Sequence, residues 1–200
     1  MLPTQDMQDS SKNRSRLLFA REFLRHPILL GSALPSSRFL VQRLLRQVDW
    51  PATRVLVEYG PGVGTFTAEI LQRLRPDATL VAIEASEEFV RHLRESYDDP
   101  RLLVVHGSAA EVGRILRERD LGCADAIISG IPFSTLSPHL RQSILSESKL
   151  ALCPGGRFLI YQFTSAVRRD LERVFGPIER DHEPLNILPA TIFMAMNDVA

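Results

Sequence analysis

Cysteine and long apolar runs are what this 200-residue sequence has little of, and each shortage removes a class of protein. Its two cysteines, Cys123 and Cys153, cannot make a disulfide framework and lack any paired-ligand spacing. They are expected as small buried apolar residues, and structural zinc is excluded. No apolar stretch approaches the roughly 18 residues needed to cross a bilayer. Asp6 and Asp9 precede the first basic residue, against the order of regions in a secretory signal, so the expectation is a chain neither spanning a membrane nor exported. Low-complexity tracts are missing too. With 44% hydrophobic and 24% charged residues the composition is that of a soluble globular chain, which excludes wholesale disorder and fibrous architectures. A net charge of zero argues against extended nucleic-acid binding as a bulk property.

What is present is uneven. The length suits one α/β domain or at most two small ones, with a sizeable core. Residues 12–54 carry a charge of +7, whereas residues 55–200 carry −5. A basic arm ahead of a mildly acidic body points to an anionic partner, a membrane or a nucleic acid, with a solvated charged face as the competing reading.

Residues 1–12 are polar, without periodicity, and read as a mobile tail. Residues 14–26 follow a helical period, with Leu17, Phe19, Ala20, Phe23, Leu24 and Ile28 on one half of the wheel. Arg14, Arg21, Glu22, Arg25 and His26 share the other half, and Pro27 stops the helix. Ser37 is placed to cap a second basic helix running to about Gln47, and this preamble ends at Trp50-Pro51. Beyond it, short apolar β-rich runs alternate with helical stretches. Strands are expected at residues 54–59, 79–84, 102–106, 124–129 and 157–163, and helices at 65–74, 87–97, 110–119 and 138–151. This alternation predicts βαβ units: an α/β fold doubly wound around a parallel sheet covered on both faces.

In such sheets ligands bind outside the carboxyl ends of the strands. The first of those loops reads Glu58-Tyr59-Gly60-Pro61-Gly62-Val63-Gly64, with glycine at every second position before a helix. Glycines there permit a tight turn and close approach of a ligand to the backbone. A dinucleotide fingerprint would need glycine at position 65, which is Thr65, and Glu58 would repel a pyrophosphate while suiting a ligand with positive charge. The next strand closes with Glu84, where an acid can accept hydrogen bonds from ribose hydroxyls. Alone, Glu84 reads equally as a charge complementing the helix that follows. Ser108, ahead of Ala109, either offers a hydrogen bond to a ligand or caps the next helix.

The order Glu58-x-Gly60-x-Gly62-x-Gly64, followed by Glu84, resembles the class I S-adenosylmethionine-dependent methyltransferases over about residues 50–196. The resemblance implies a Rossmann-like, seven-stranded, mostly parallel sheet whose last strand, residues 191–196, is antiparallel. It also implies S-adenosylmethionine as cofactor. Gly60, Gly62 and Gly64 would line its methionine portion, Glu58 would sit near its amino group and Glu84 would hold the ribose. Ala85, Ser108, Ala109 and Ser129 would complete the cofactor site.

The fourth strand runs into Ser129-Gly130-Ile131-Pro132-Phe133, where such enzymes present the acceptor. Enzymes that methylate exocyclic amines of nucleobases have Asn or Asp where Gly130 stands, so base methylation lacks its hydrogen-bonding residue. The Ser-Gly-hydrophobic-Pro order resembles instead the bacterial phosphatidylethanolamine N-methyltransferases, relatives of ribosomal RNA adenine dimethylases. Phe23-Leu24, Pro27, Gly31 and Pro35-Ser36-Ser37 resemble that family's N-terminal segment. Leu185-Asn186-Ile187-Leu188-Pro189-Ala190 resembles its C-terminal turn, with Leu188 in place of a proline. Four residues follow Met196, which leaves no room in this sequence for the helical domain of ribosomal RNA dimethylases.

These resemblances imply residues 1–50 as a tail with basic amphipathic helices and residues 51–200 as the methyltransferase domain. The implied reaction is transfer of methyl groups to the amine of a phosphatidylethanolamine-type phospholipid, by an enzyme in the cytoplasm peripherally associated with the membrane. A primary ammonium must first lose a proton, and the candidate bases near the strand ends are Tyr59, His139 and Tyr161, with His182 further along. Backbone carbonyls of residues 129–131 would orient the amine, so Gly130, Ile131, Pro132 and Phe133 join Tyr59 and His139 on the catalytic side. The first helix either lies in an anionic membrane interface, packs on the sheet domain, or acts as a lid. No stable nucleic-acid partner is expected. Two rivals stay open: a nucleic-acid adenine N-methyltransferase whose basic arm holds RNA, and a cofactor-binding interaction protein without catalysis.

Overall fold

The computed structural model describes residues 36–186 and 188–198. The helix expected at residues 14–26 lies outside the described residues. Ser37 caps helix α1 (Arg38–Leu45), its hydroxyl accepting a hydrogen bond from the Leu40 amide at 3.2 Å. The alternation then runs β1 (Val55–Tyr59), α2 (Thr65–Arg73), β2 (Thr79–Glu84), α3 (Glu87–Ser96), β3 (Leu102–His106), α4 (Val112–Arg117), β4 (Ala124–Ser129) and α5 (Pro138–Ala151). It closes with β5 (Leu152–Gln162), α6 (Arg168–Phe175), β6 (Glu179–Glu183) and β7 (Ala190–Met196).

The seven strands lie in the order β3-β2-β1-β4-β5-β7-β6. Pairings from β3 across to β5 are parallel, and β7 runs antiparallel between β5 and β6. This is the expected Rossmann-like sheet. Every residue of β1 is buried, as a strand covered on both faces requires. Alternation along the strands divides the core in two. Val55, Val57, Tyr59, Ile127, Phe158 and Ile160 face α4, α5 and α6, while Leu56, Leu80, Ile128 and Leu159 face α1 and α2. Helix α1 adds Leu40, Val41, Leu44 and Leu45 to that second half, each fully buried aliphatic side chain contributing roughly 1.5–3 kcal/mol.

The structure departs from the sequence reading at several points. A 3-10 turn, Ala109–Glu111, takes the first residues of the helix expected at 110–119. Strand β5 starts at Leu152, five residues early, because Leu152 pairs with Ala124 before the register shifts ahead of Ala126. Helix α6 and strand β6 were not anticipated. Strand β6 reads Glu-Arg-Asp-His-Glu, with no apolar residue to mark it, and occupies a sheet edge. It is secured from outside the sheet by Arg43 of α1, which reaches Glu183 at 2.8 Å and Asp181 at 3.0 Å. The cysteines are also corrected. Cys123 and Cys153 are joined in a disulfide with Cα atoms 5.0 Å apart, and Cys123 is exposed rather than buried. Pairing of Ala124 with Leu152 sets their neighbours side by side, a juxtaposition that a sequence separation of 30 conceals. Among the described residues, no helix is long and apolar enough to cross a membrane.

Candidate active site

Strand order reverses between β1 and β4, and in open α/β sheets the crevice outside the carboxyl ends at such a point is where ligands bind. The ladder extends past the strand ends there. Gly60 donates its amide to Ile83 at 2.9 Å, Gly130 to Tyr59 at 3.0 Å and Gly107 to Glu84 at 3.0 Å, so the three loops leave the sheet side by side.

Glu58 shares the α1–α2 face of β1 with Leu56 and is 3% exposed. Thr67, in the first turn of α2, donates its hydroxyl to Glu58 Oε2 at 2.7 Å. Burial pushes the Glu58 carboxyl up to about 8; the Thr67 hydrogen bond opposes this, and the charge of Glu84 adds to it. Glu84 is buried at the end of β2, with Oε2 accepting the Gly62 amide at 3.1 Å and Oε1 the Ser86 amide at 2.9 Å. Gly62 itself has φ of +55°, and nothing lies within 4 Å of where its Cβ would stand. At Gly64 the Cβ position is taken by the Tyr97 hydroxyl, 2.5 Å away, which donates to the Gly64 carbonyl at 2.8 Å. Burial pushes Tyr97 up to about 12, with Glu58 contributing. The loop thus presents Gly62 to open space and gives Gly64 to internal packing.

Two carboxyl groups near the carboxyl ends of β1 and β2, beside the open backbone at Gly62, fit a ligand with cationic charge and a vicinal diol. S-adenosylmethionine has both, and Glu58, Gly60, Gly62 and Glu84 are the residues that would hold it.

The third loop differs from expectation. Ser108 accepts the Ala110 amide at 3.2 Å and donates its own amide to Glu111 Oε2 at 3.2 Å, a reciprocal cap. Its oxygen therefore serves the helix start, and the Ala109 side chain is packed in the core and not toward a ligand. Ala85 is exposed, and its carbonyl accepts from His106 Nε2 at 3.1 Å, tying the second loop to the third.

In the fourth loop Ser129 is fully buried, its hydroxyl accepting the Ile131 amide at 3.3 Å. Ile131 and Pro132 are half-buried, and the Ile131 side chain lies 3.3 Å from where a Gly60 Cβ would stand. Phe133, expected on the catalytic side, has its ring wholly in the core, so it anchors the loop and does not face an acceptor. Gln162, at the end of β5, clamps the same segment. It accepts the Phe133 amide at 3.1 Å and donates to the carbonyls of Ile131 and Tyr161, each at 2.7 Å.

Of the expected bases, Tyr59 is misplaced. It faces α5, fully buried, with its hydroxyl 3.1 Å from Ser148 Oγ, and burial raises its pKa. Odd and even residues of β1 point to opposite faces, so Glu58 and Tyr59 cannot share a site. His139 is exposed in the first turn of α5. His182 sits on edge strand β6, 3.2 Å from Thr191 Oγ1. Tyr161 stacks on Phe66 of α2, with ring centroids 5.2 Å apart, on the face that Glu58 occupies. Thr67, Tyr97 and Gln162 escaped the sequence reading. The one signal available was a polar residue closing an otherwise apolar strand, at Gln162.

Comparison with known proteins bears on this geometry. A family model described as a methyltransferase domain matches residues 56–156. The chain is 31% identical over 175 residues to the ornithine lipid N-methyltransferase of Singulisphaera acidiphila, covering 86% of this chain and 91% of that protein. It is 30% identical over 101 residues to ribosomal RNA small subunit methyltransferase A of Cupriavidus metallidurans, where it spans only 34% of that protein's length and 50% of its own. Among solved structures, the N-methyltransferase NodS of Bradyrhizobium japonicum superposes with a TM-score of 0.62 at 14% identity, over 81% of this chain and 96% of that one. A second structure of NodS, in complex with S-adenosyl-L-homocysteine, gives the same score at 13% identity, over 80% and 86% of the two chains. The match of the methyltransferase-domain model to half of the chain and the likeness along 86% of it to a methyltransferase show the family: the chain belongs to the class I S-adenosylmethionine-dependent methyltransferases.

Proposed function

We propose that this enzyme methylates the amine of an aminolipid headgroup, of the phosphatidylethanolamine type, at an anionic membrane surface. The observation that carries the reading is similarity along 86% of the chain to an enzyme named for N-methylation of a lipid. The acceptor loop supports it. Gly130 has no side chain and Ile131 and Pro132 are apolar, so an acceptor would meet backbone carbonyls and hydrocarbon, not an amide or carboxylate that reads a base edge.

A second support is the surface at the start of α1. Ser37 donates its amide to Asn186 Oδ1 at 2.8 Å, which ties this end of α1 to the turn carrying the exposed side chains Leu185 and Leu188. Phe39, two residues on from Ser37 in α1, is also exposed, and the Arg38 guanidinium lies 4.8 Å from its ring centre. Apolar groups with a cation at their edge suit the boundary between anionic headgroups and acyl chains. In this reading the basic segment at residues 14–26, with Arg14, Arg21 and Arg25, adds to the attachment, and the enzyme works peripherally on the cytoplasmic leaflet.

When bound, S-adenosylmethionine supplies a sulfonium methyl that passes to the amine nitrogen as sulfur departs as a neutral thioether. This chain's residues bind, align and dry the reactants. Glu58 and Glu84 set charge beside the glycine loop; Gln162 and the buried Phe133 ring fix the acceptor segment; carbonyls at residues 129–131 orient the amine. An ammonium of pKa about 10.4 must shed a proton to solvent before its nitrogen can accept the methyl.

The test offers labelled S-adenosylmethionine, in one reaction, to vesicles of phosphatidylethanolamine with an anionic lipid and to deproteinised ribosomal RNA. Label in the lipid extract is expected. Label in the RNA would favour the nucleic-acid rival, and cofactor binding with no transfer to lipid, RNA or small amines would favour the non-catalytic one.

A further inference from the structure

Gly130 does not need to be glycine for its backbone, since it is not among the glycines of this chain with positive φ. It needs to be glycine for room. A Cβ there would stand 2.7 Å from Tyr161 Oη and 3.2 Å from Cζ, so any side chain at position 130 would push the phenol away. The ring that claims this space is held firmly. It stacks on Phe66, just beyond the glycine loop, and meets Phe163 edge-on at 6.4 Å. The hydroxyl is thereby set against the loop that follows β4, on the sheet face that carries Glu58. A phenol oxygen has one proton and two lone pairs, which gives it capacity for an N–H donor.

We infer that the Tyr161 hydroxyl, set directly against Gly130 in the acceptor loop, receives the acceptor amine. The inference rests on the aminolipid reading for its substrate and adds the side-chain contact which that reading lacks. A neutral amine donates one N–H to Tyr161 Oη and keeps its lone pair for the incoming methyl. Burial, with the charge of Glu58, raises the Tyr161 pKa, so the group works as a neutral phenol that orients and does not take the proton.

The experiment uses the full chain with phosphatidylethanolamine vesicles and compares Tyr161→Phe, Gly130→Ala and their combination. Tyr161→Phe removes one oxygen, and its kcat should fall roughly fivefold to tenfold, the worth of one hydrogen bond realised in the transition state. Affinity for S-adenosylmethionine, measured by calorimetry, and the melting temperature should stay at wild-type values. Gly130→Ala displaces the same hydroxyl and should lose a similar factor. The double variant should be no slower than the slower single one, because both changes abolish one contact. An unimpaired Tyr161→Phe enzyme, or losses that multiply, would overturn the inference. So would loss of the rising limb of the rate–pH profile in Tyr161→Phe, which would make the phenol a base. Should Tyr161→Phe prove unstable, Gly130→Ala decides alone: an unchanged kcat overturns the inference. A wild type that labels no lipid overturns the substrate reading and this inference with it, whereas an active wild type with an equally active Tyr161→Phe overturns the inference alone.

Discussion

Replacing Glu58 by Gln removes one buried carboxyl and keeps an oxygen for Thr67 to donate to. In the folded chain without ligand that carboxyl holds its proton up to about 8, against 4.5 for an ordinary glutamate. Between those values the folded state binds one proton more than the unfolded state, so the contribution of Glu58 is fully present below pH 4.5 and is lost as pH rises through about 8. The slope is about 1.4 kcal/mol per pH unit, and the total is on the order of 5 kcal/mol. The neutral amide of Glu58→Gln has no such slope, so the variant should gain stability over wild type steadily from pH 5 to pH 8. Cofactor binding runs the other way. A cationic ligand favours ionised Glu58, so wild-type binding below pH 8 releases a proton and tightens up to about tenfold per pH unit. The variant lacks this release, and the difference between the two proteins cancels titration of the ligand itself. Urea unfolding at pH 5, 6.5 and 8, with calorimetry in two buffers of different ionisation enthalpy, measures both effects. Parallel stability curves, or equal proton release on binding, would refute a buried protonated Glu58 as part of the cofactor site.

Gly62→Val forces a branched residue to φ of +55° and fills the open side of the loop. It should weaken S-adenosylmethionine binding at least about tenfold and cost about 1–2 kcal/mol in strain, with the circular dichroism spectrum unchanged; wild-type affinity would remove Gly62 from the site. Gln162→Leu strands the Phe133 amide and the Ile131 carbonyl, both half-buried or buried. It should lower stability by about 2 kcal/mol in urea titration and reduce kcat more than cofactor affinity. A kcat unaltered despite the lost stability would show that the clamp does not set the acceptor loop. Cys123→Ser opens a covalent loop with a sequence separation of 30, which should cost about 3–4 kcal/mol, and a reducing agent should bring wild type to the same unfolding midpoint.

The sheet was legible because its strands are buried on both faces and so read as apolar runs, with glycine, proline or serine between them. Strand β6 was not, because at an edge a polar run such as Glu-Arg-Asp-His-Glu can pair on one side while its charges meet solvent and Arg43. Glu58 and the glycine loop declared themselves through spacing along the chain. Which face each side chain takes is latent there too: alternation places Tyr59 opposite Glu58, whereas nearness to a strand end is all that marks Tyr59 as a candidate base. Contacts between distant segments were invisible. Gln162 meets Phe133, Tyr161 meets Gly130 and Cys123 meets Cys153 only once β4 and β5 lie adjacent in register. Ser108 shows the opposite case, where a local cap motif was readable and a ligand role competed with it.

The most direct test of the account is the mass of the lipid product. Phosphatidylethanolamine vesicles incubated with the enzyme and S-adenosylmethionine should yield lipids whose headgroup fragments are heavier by whole methylene increments located on nitrogen, and Gly62→Val should yield none. Unmodified headgroups, with the methyl recovered on RNA or nowhere, would contradict it.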